Sequence, residues 1–192
     1  MTTSASQVVV GYDFGHSGSA AMERALALAV RAPFHVLHFV CVVDRHGQLP
    51  SVVPHGHVDF AYTERLQQAL TDTVAQELRA IDVQGRVHFF VHVRIGKPAE
   101  ELLDVARDVG ADLIIVGSKG LTGIERMVLG SVSERVVREA KCTVEVARPK
   151  GYAHVDLTTI VEVEPHLTYV PPHRYSYEDR RVERRSAAWP LY

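Results

Sequence analysis

The feature that most constrains the fold of this chain is a regular alternation of short apolar runs with longer segments of helical periodicity. Five runs rich in β-branched residues are separated by four segments in which apolar residues recur every three or four positions. The predicted strands are Val8–Tyr12, Phe34–Val43, Arg86–Arg94, Asp112–Val116 and Thr143–Ala147. This βαβαβαβαβ order predicts an α/β fold with a five-stranded parallel sheet, doubly wound, because each right-handed crossover places a helix on one face of the sheet.

The same order predicts where a ligand binds. In a doubly wound sheet the ligand lies beyond the carboxyl ends of the strands, where the direction of winding reverses. Here the reversal is expected between the first and fourth strands. The loops that follow those strands, 11–15 and 117–120, each begin and end with glycine. The sequence therefore predicts that two glycine-bearing loops meet at one place.

The pattern changes near Pro149. Residues 1–149 are predicted to form one domain, and residues 150–192 an extension with a strand at Thr158–Val163 followed by a tail. The extension is too short to bury a core of its own. Its scattered apolar residues predict packing on a partner subunit or over a sheet edge, and a disordered tail is the alternative.

Composition excludes several classes of protein. A formal net charge of −2 over 192 residues gives no electrostatic reason to expect nucleic acid or an anionic membrane as partner. The first residues lack the pattern of a signal peptide, and no apolar run approaches the roughly 20 residues that span a bilayer. Cys41 and Cys142 each lie in an apolar run without a CxxC pair, which indicates buried, reduced thiols. A cytoplasmic protein is expected.

The segment after the fourth strand carries the most specific pattern. Gly117 and Gly120 follow a buried strand directly, and glycine there lets backbone amides approach a phosphate or ribose closely. Gly130 and Ser131 then open a helix. Ser131 and Glu134 have the spacing of a capping box, so the positive end of the helix dipole is expected to face an anion. The alternative is that these glycines only end a strand and begin a helix.

Taken together, Gly117-x2-Gly120-x9-Gly130-Ser131 resembles the nucleotide-binding signature of the ATP-binding branch of the universal stress protein family. The resemblance extends over residues 7–149. It implies a Rossmann-like fold of the adenine nucleotide alpha hydrolase type, a stress-response role in the cytoplasm, and binding of ATP or AMP.

The resemblance also implies which residues surround the nucleotide. Those implied for the base and ribose are Tyr12, Asp13, Phe39 or Val40, Val116 and Gly117. Those implied for the phosphates are Gly120, Gly130, Ser131, Val132 and Ser133. Lys119 stands where many relatives have histidine, and it either helps to hold phosphate or points into water. Asp13 has a second interpretation from its position alone, because a carboxylate at a strand end also caps the turn that follows.

Catalysis and metal binding receive less support. The chain has no GxxxxGK[ST] loop, no GxGxxG fingerprint, and no nucleophile that can be paired with a base. His55 and His57 lack a third ligand nearby, so no metal site is predicted. Two alternatives to a nucleotide sensor stay open. One is a slow ATP hydrolase with a divalent cation such as Mg²⁺ near Asp13 and the phosphates.

The other alternative is an interaction protein whose assembly matters more than its ligand. The strand Thr143–Ala147 is expected at an edge of the sheet, and an exposed β-branched edge is a template for pairing. A homodimer through this strand is therefore predicted, and the family resemblance points the same way. The sequence leaves open the choice between ATP and AMP, any hydrolysis, the protein partner and the triggering stress.

Overall fold

The computed structural model describes residues 5–31, 34–47, 49–54, 57–81, 87–118, 129–149, 151, 174–178 and 181–185. Within residues 1–149 the strands are β1 (Ser6–Gly11), β2 (His35–Val43), β3 (His88–Ile95), β4 (Leu113–Gly117) and β5 (Thr143–Ala147). The helices are α1 (His16–Arg31), α2 (Phe60–Ala80), α3 (Pro98–Asp108) and α4 (Ser131–Glu139). Strands and helices alternate throughout, as the apolar pattern predicts.

The five strands form one parallel sheet in the order β3-β2-β1-β4-β5. The chain winds outward from β1 to β3, crosses back to β4 and winds outward again to β5. The predicted fold class is confirmed, and so is the predicted reversal between the first and fourth strands. Strand β1 lies at this reversal, with Val10 opposite Phe39 of β2 on one side and opposite Ile115 of β4 on the other.

Each face of the sheet has its own apolar core. Because side chains alternate along a strand, Val8 and Val10 lie in the core with α1 and α2, whereas Val9 lies in the core with α3 and α4. Burial on both faces explains why the central strands are continuous apolar runs. Cys41 is buried in the first core and Cys142 is half-buried, and neither forms a disulfide.

The helices follow from short-range signals in the sequence. The side chain of Asp59 caps α2 by accepting a hydrogen bond from the Tyr62 amide at 2.8 Å, and Pro98 opens α3. The predicted apolar stripe of α2 is buried at Leu66 but exposed at Ile81, because the helix ends at residue 80. None of the described helices has both the length and the apolar character needed to cross a bilayer.

After Pro149 the chain forms a second compact unit, residues 150–192. Its described strands are β6 (Arg174–Glu178) and β7 (Arg181–Arg185), which pair antiparallel with Glu178 opposite Arg181. The sequence analysis did not predict this hairpin. The strand that it predicted at 158–163 lies outside the described residues.

Candidate functional site

The loops after β1 and β4 are held together by contacts at the reversal of the sheet. An added Cβ atom on Gly117, the last residue of β4, would lie 2.3 Å from the carbonyl oxygen of Ser17 in the first turn of α1. Only a glycine fits there. This contact brings the first turn of α1 against the last residue of β4, and it gives Gly117 a packing role that does not require a ligand.

The loop after β1 is anchored to β2 and has one unusual backbone conformation. The Tyr12 amide donates to the Val40 carbonyl at 2.9 Å, and the Tyr12 ring is buried edge-on against Phe14 with centroids 4.9 Å apart. Phe14 has φ 61°, in the left-handed region that costs energy for any residue other than glycine. Such strain persists only where the surrounding contacts enforce it.

Asp13 directs its carboxylate toward the beginning of α1. Its Oδ1 atom accepts a hydrogen bond from the Gly15 amide at 2.9 Å, and the Gly18 amide also bonds the carboxylate. A Cβ atom on Gly18 would lie 2.6 Å from Oδ1, so glycine is required for this approach. Burial raises the pKa of Asp13, an effect larger than the opposing one of the backbone amides. The capping interpretation of Asp13 is therefore realised, with the carboxylate at the amino end of α1.

The amino end of α4 is organised differently. Gly130 is the N-cap residue, and its amide donates to the Ser118 carbonyl at 2.8 Å, which ties the helix to the end of β4. The Ser133 hydroxyl donates to the Gly130 carbonyl at 2.9 Å. No side chain of a described residue accepts a hydrogen bond from the first amides of this helix. Among the described residues, the positive end of its dipole therefore has no capping side chain.

The predicted capping box at Ser131 and Glu134 is wrong. Gly130 already has the extended backbone of an N-cap, φ −73° and ψ 157°, so Ser131 is the first helical residue. The Glu134 side chain accepts from Arg138 one turn later, at 3.5 Å, and its amide donates to the Gly130 carbonyl. Spacing alone did not distinguish a serine at the cap from a serine after it.

The remaining predicted residues are divided between the two faces of the sheet. Phe39 is buried with Tyr12 in the core under α1 and α2, and Val40 is buried with Val116 in the core under α3. Val132 packs at the edge of the latter core, whereas Ser131 is exposed. Gly120 and Lys119 lie outside the described residues.

Sequence reasoning missed three residues that shape this site. The Ser118 carbonyl accepts hydrogen bonds from the Gly130 amide and, at 3.4 Å, from the Ser133 hydroxyl. Ser17 packs on Gly117, and Gly18 admits the Asp13 carboxylate. Gly18, three residues after Gly15, was a sequence signal for such a close approach. No sequence signal identified Ser17 or Ser118.

Metal ligands are not concentrated at the site. Over the described part of the chain, histidine, cysteine and carboxylate side chains nowhere gather in threes. The fit to a nucleotide therefore depends on backbone amides and on Asp13. Among the described residues no side chain caps α4, so a phosphate suits its amino end better than that of α1, where the Asp13 carboxylate lies.

Comparison with known proteins gives a consistent result. The model of the universal stress protein family matches residues 5–148. A universal stress protein of Synechocystis sp. is 27% identical over 151 residues, which cover 74% of this chain and 97% of that protein.

Two solved structures extend the comparison to the fold. A universal stress protein in complex with cAMP is 25% identical with a TM-score of 0.54, covering 76% of this chain and 98% of the other. A universal stress protein family member from Arabidopsis thaliana with AMP bound is 19% identical with a TM-score of 0.51, covering 76% and 93%. These neighbours share the parallel sheet and its helices.

Proposed function

The chain belongs to the universal stress protein family, and from this premise we propose that it binds an adenine nucleotide, ATP or AMP, and acts as a regulator or sensor in a stress response. The binding site is the junction of the β1–α1 and β4–α4 loops. Nucleotide occupancy changes the stability or the partner surface of the domain, without turnover of a substrate.

One observation carries this proposal: of the two helix amino ends at the reversal of the sheet, one is capped by a carboxylate and the other has no capping side chain from any residue that the structure describes. Asp13 occupies the end of α1 and repels a second anion there. The end of α4, opened by Gly130, presents amides to which phosphate oxygens can bind. This asymmetry gives the nucleotide one orientation, with its phosphates over α4 and its nucleoside toward Asp13.

The same geometry supports a position for the nucleoside. Asp13 is half-buried beside the strained turn at Phe14, and its carboxylate accepts hydrogen bonds, as a ribose hydroxyl or an adenine amine would require. The base is proposed to pack near Val40 and Val116, whose side chains are themselves buried in the core under α3. Relatives solved with cAMP and with AMP support an adenine nucleotide as the class of ligand.

A homodimer through β5 is part of the proposal. Strand β5 lies at the end of the sheet order, paired with β4 on one side. The Ala147 carbonyl accepts the Ser118 amide at 3.1 Å, so alternate residues Val144 and Val146 direct their backbone groups away from β4. Those groups are available to a second copy of the chain.

The test is direct. Purified protein is denatured, and the released small molecules are analysed by mass spectrometry for a bound adenine nucleotide. Protein cleared of ligand is then titrated calorimetrically with ATP, AMP and adenosine. Failure to bind any of the three at millimolar concentration contradicts the proposal and favours an interaction protein without a nucleotide ligand.

A further inference from the structure

A chain of hydrogen bonds joins three strands on the sheet face that is opposite to α2. The Nδ1 atom of His38 on β2 lies 3.1 Å from the Nε2 atom of His92 on β3. The other ring nitrogen of His38 lies 2.9 Å from the Gln7 side-chain oxygen on β1, and the Gln7 side-chain nitrogen donates to the Ala5 carbonyl at 3.1 Å. The proposed nucleotide site uses none of these four residues.

The donors and acceptors in this chain can be assigned from one end. The Ala5 carbonyl orients the Gln7 amide group, so its oxygen accepts from His38 Nε2. A neutral His38 that is protonated on Nε2 has a lone pair on Nδ1. His92 therefore carries its proton on Nε2 and donates it to His38. This assignment holds for a neutral His38, because a proton on its Nδ1 would set two donors against each other for as long as His92 keeps its own proton on Nε2.

The two rings meet end to end. Their centroids are 5.3 Å apart. This is close to the 3.1 Å between the two nitrogen atoms plus the distance from each nitrogen to the centre of its own ring, so the two nitrogens lie nearly on the line between the rings. The geometry is that of a direct hydrogen bond between two imidazoles.

The surroundings also favour neutral imidazoles. His38 is 5% exposed and stacks on Phe90 with centroids 5.0 Å apart. Burial, and then the neighbouring His92, lower the pKa of His38 to about 4. Burial and the nearby Arg94 lower the pKa of His92 as well.

The other charged groups on this face do not form hydrogen bonds with the pair. Arg94 is paired with Asp108 of α3 at 3.5 Å. Asp112, just before β4, accepts from the Gln7 backbone amide at 2.8 Å. His88 lies on the same face of β3 with its side chain exposed. A proton that reaches His38 therefore gains no carboxylate partner.

The strand that the pair holds lies at an edge of the sheet. Of the described strands, β3 pairs with β2 alone, and α2 covers only its other face. On the imidazole face Phe90 is 56% exposed. The register places Phe90 opposite His38 and His92 opposite Val40, so the side-chain bond runs diagonally across the β2–β3 pairing. Edge strands with little cover open more readily than central ones.

We propose that the His38–His92 pair is an acid-sensitive latch, which holds edge strand β3 to β2 while both imidazoles are neutral and releases it when His38 is protonated. The latch is independent of nucleotide binding. Opening β3 frees His38 to take up a proton at its ordinary pKa near 6.5, whereas the closed form excludes that proton. By proton linkage, the opening constant should rise roughly tenfold between about pH 7.5 and pH 5.5.

Native-state hydrogen exchange measured by NMR tests the latch. The protection of the β3 amides that bond β2, corrected for the intrinsic effect of pH, should fall about tenfold over this range in the wild-type chain. His38→Leu removes the main titrating group and should greatly reduce the fall, leaving only the part that His92 contributes. His88→Gln removes an exposed histidine from the same strand and should behave as wild type. Equal pH dependence in wild type and His38→Leu would overturn the proposal.

A second measurement keeps the proposal falsifiable if His38→Leu fails to fold. Nitrogen NMR of the wild-type imidazoles should show His38 neutral and protonated on Nε2 at about pH 5.5. A His38 ring that titrates near its ordinary pKa in the folded protein would contradict the proposed latch. Micromolar binding of Zn²⁺ to wild type that His92→Gln abolishes would also overturn it, because the pair would then be a metal chelate.

Discussion

The carbonyl oxygen of Ser17 lies 2.3 Å from the position that a Cβ atom on Gly117 would occupy, and the Ser17 carbonyl carbon lies at 2.4 Å. This contact joins the first turn of α1 to the last residue of β4. The same turn contains Gly18, whose amide bonds Asp13. One backbone contact therefore fixes the loop that carries Asp13 relative to the strand that leads to Gly130.

Gly117→Ala should lower the free energy of unfolding by about 1–3 kcal/mol, because the backbone of Ser17 cannot move aside as a flexible side chain would. Urea denaturation measures the change. Gly151→Ala is the matched control, since nothing lies within 4 Å of the added carbon atom. It should alter stability by less than about 0.5 kcal/mol. A Gly117→Ala variant as stable as the control would mean that the α1–β4 contact is not tight.

Gly130→Val should weaken ATP binding about ten- to a hundredfold, which corresponds to the loss of one charge-assisted hydrogen bond of ~1.5–3 kcal/mol. The backbone of Gly130, with φ −73° and ψ 157°, accepts a valine, so the fold should persist. The added side chain obstructs phosphate rather than nucleoside. Calorimetry should therefore show a much smaller loss for adenosine than for ATP.

Equal losses for ATP and adenosine would place the phosphates elsewhere. Gly151→Val serves as the control for a β-branched side chain at an open position, and it should bind both ligands as wild type does.

The topology was predictable because it depends on local patterns. Each strand is a short run rich in apolar residues and each helix has an apolar stripe, so the boundaries of the predicted strands differ from those observed by at most two residues. The handedness of crossovers then leaves few arrangements of the sheet. Loop positions at the reversal follow from that topology.

The details of the site depend on contacts between distant parts of the chain. Ser17 meets Gly117, and His38 meets His92, only after the sheet has formed. The sequence predicted no metal site at His55 and His57, and nothing in it predicted the contact between His38 and His92. Register between β2 and β3, which no local signal specifies, decides that contact.

Val144→Pro should convert the proposed dimer to a monomer. Its backbone amide is directed away from β4, so proline removes a hydrogen bond to the partner without breaking one within the sheet. Light scattering at tens of micromolar should show a dimer for wild type and a monomer for the variant. A monomeric wild-type protein contradicts pairing through β5.

The free energy of unfolding should fall as the pH falls from about 6.5 to 4. The folded state holds the pKa of His38 at about 4, below its ordinary value of 6.5, so the unfolded state binds more protons within this window. The full loss is on the order of 3 kcal/mol. Urea denaturation at several pH values should give a shallower pH dependence for His38→Leu than for wild type. An identical dependence would show that other groups account for the acid sensitivity.

Asp13→Asn should separate binding from stability. Burial raises the pKa of Asp13 above 3.8, so the folded state takes up a proton more readily than the unfolded state. The free energy of unfolding of the wild-type protein therefore falls as the pH rises from 3.8 through the higher pKa that Asp13 has in the folded state. At neutral pH the charge of Asp13 disfavours folding. Asparagine removes that charge and keeps an oxygen acceptor for the Gly15 amide.

We expect Asp13→Asn to unfold at a higher urea concentration than wild type at neutral pH, with the difference shrinking as the pH approaches 4. Adenosine and ATP should each bind about tenfold more weakly, because both lose a charge-assisted hydrogen bond at the nucleoside. Asp13→Ala is the informative comparison, since it also removes the cap of α1 and should cost about 1 kcal/mol of stability relative to Asp13→Asn. A less stable Asp13→Asn protein would show that the carboxylate is retained for the fold, and unchanged affinity would remove Asp13 from the binding site.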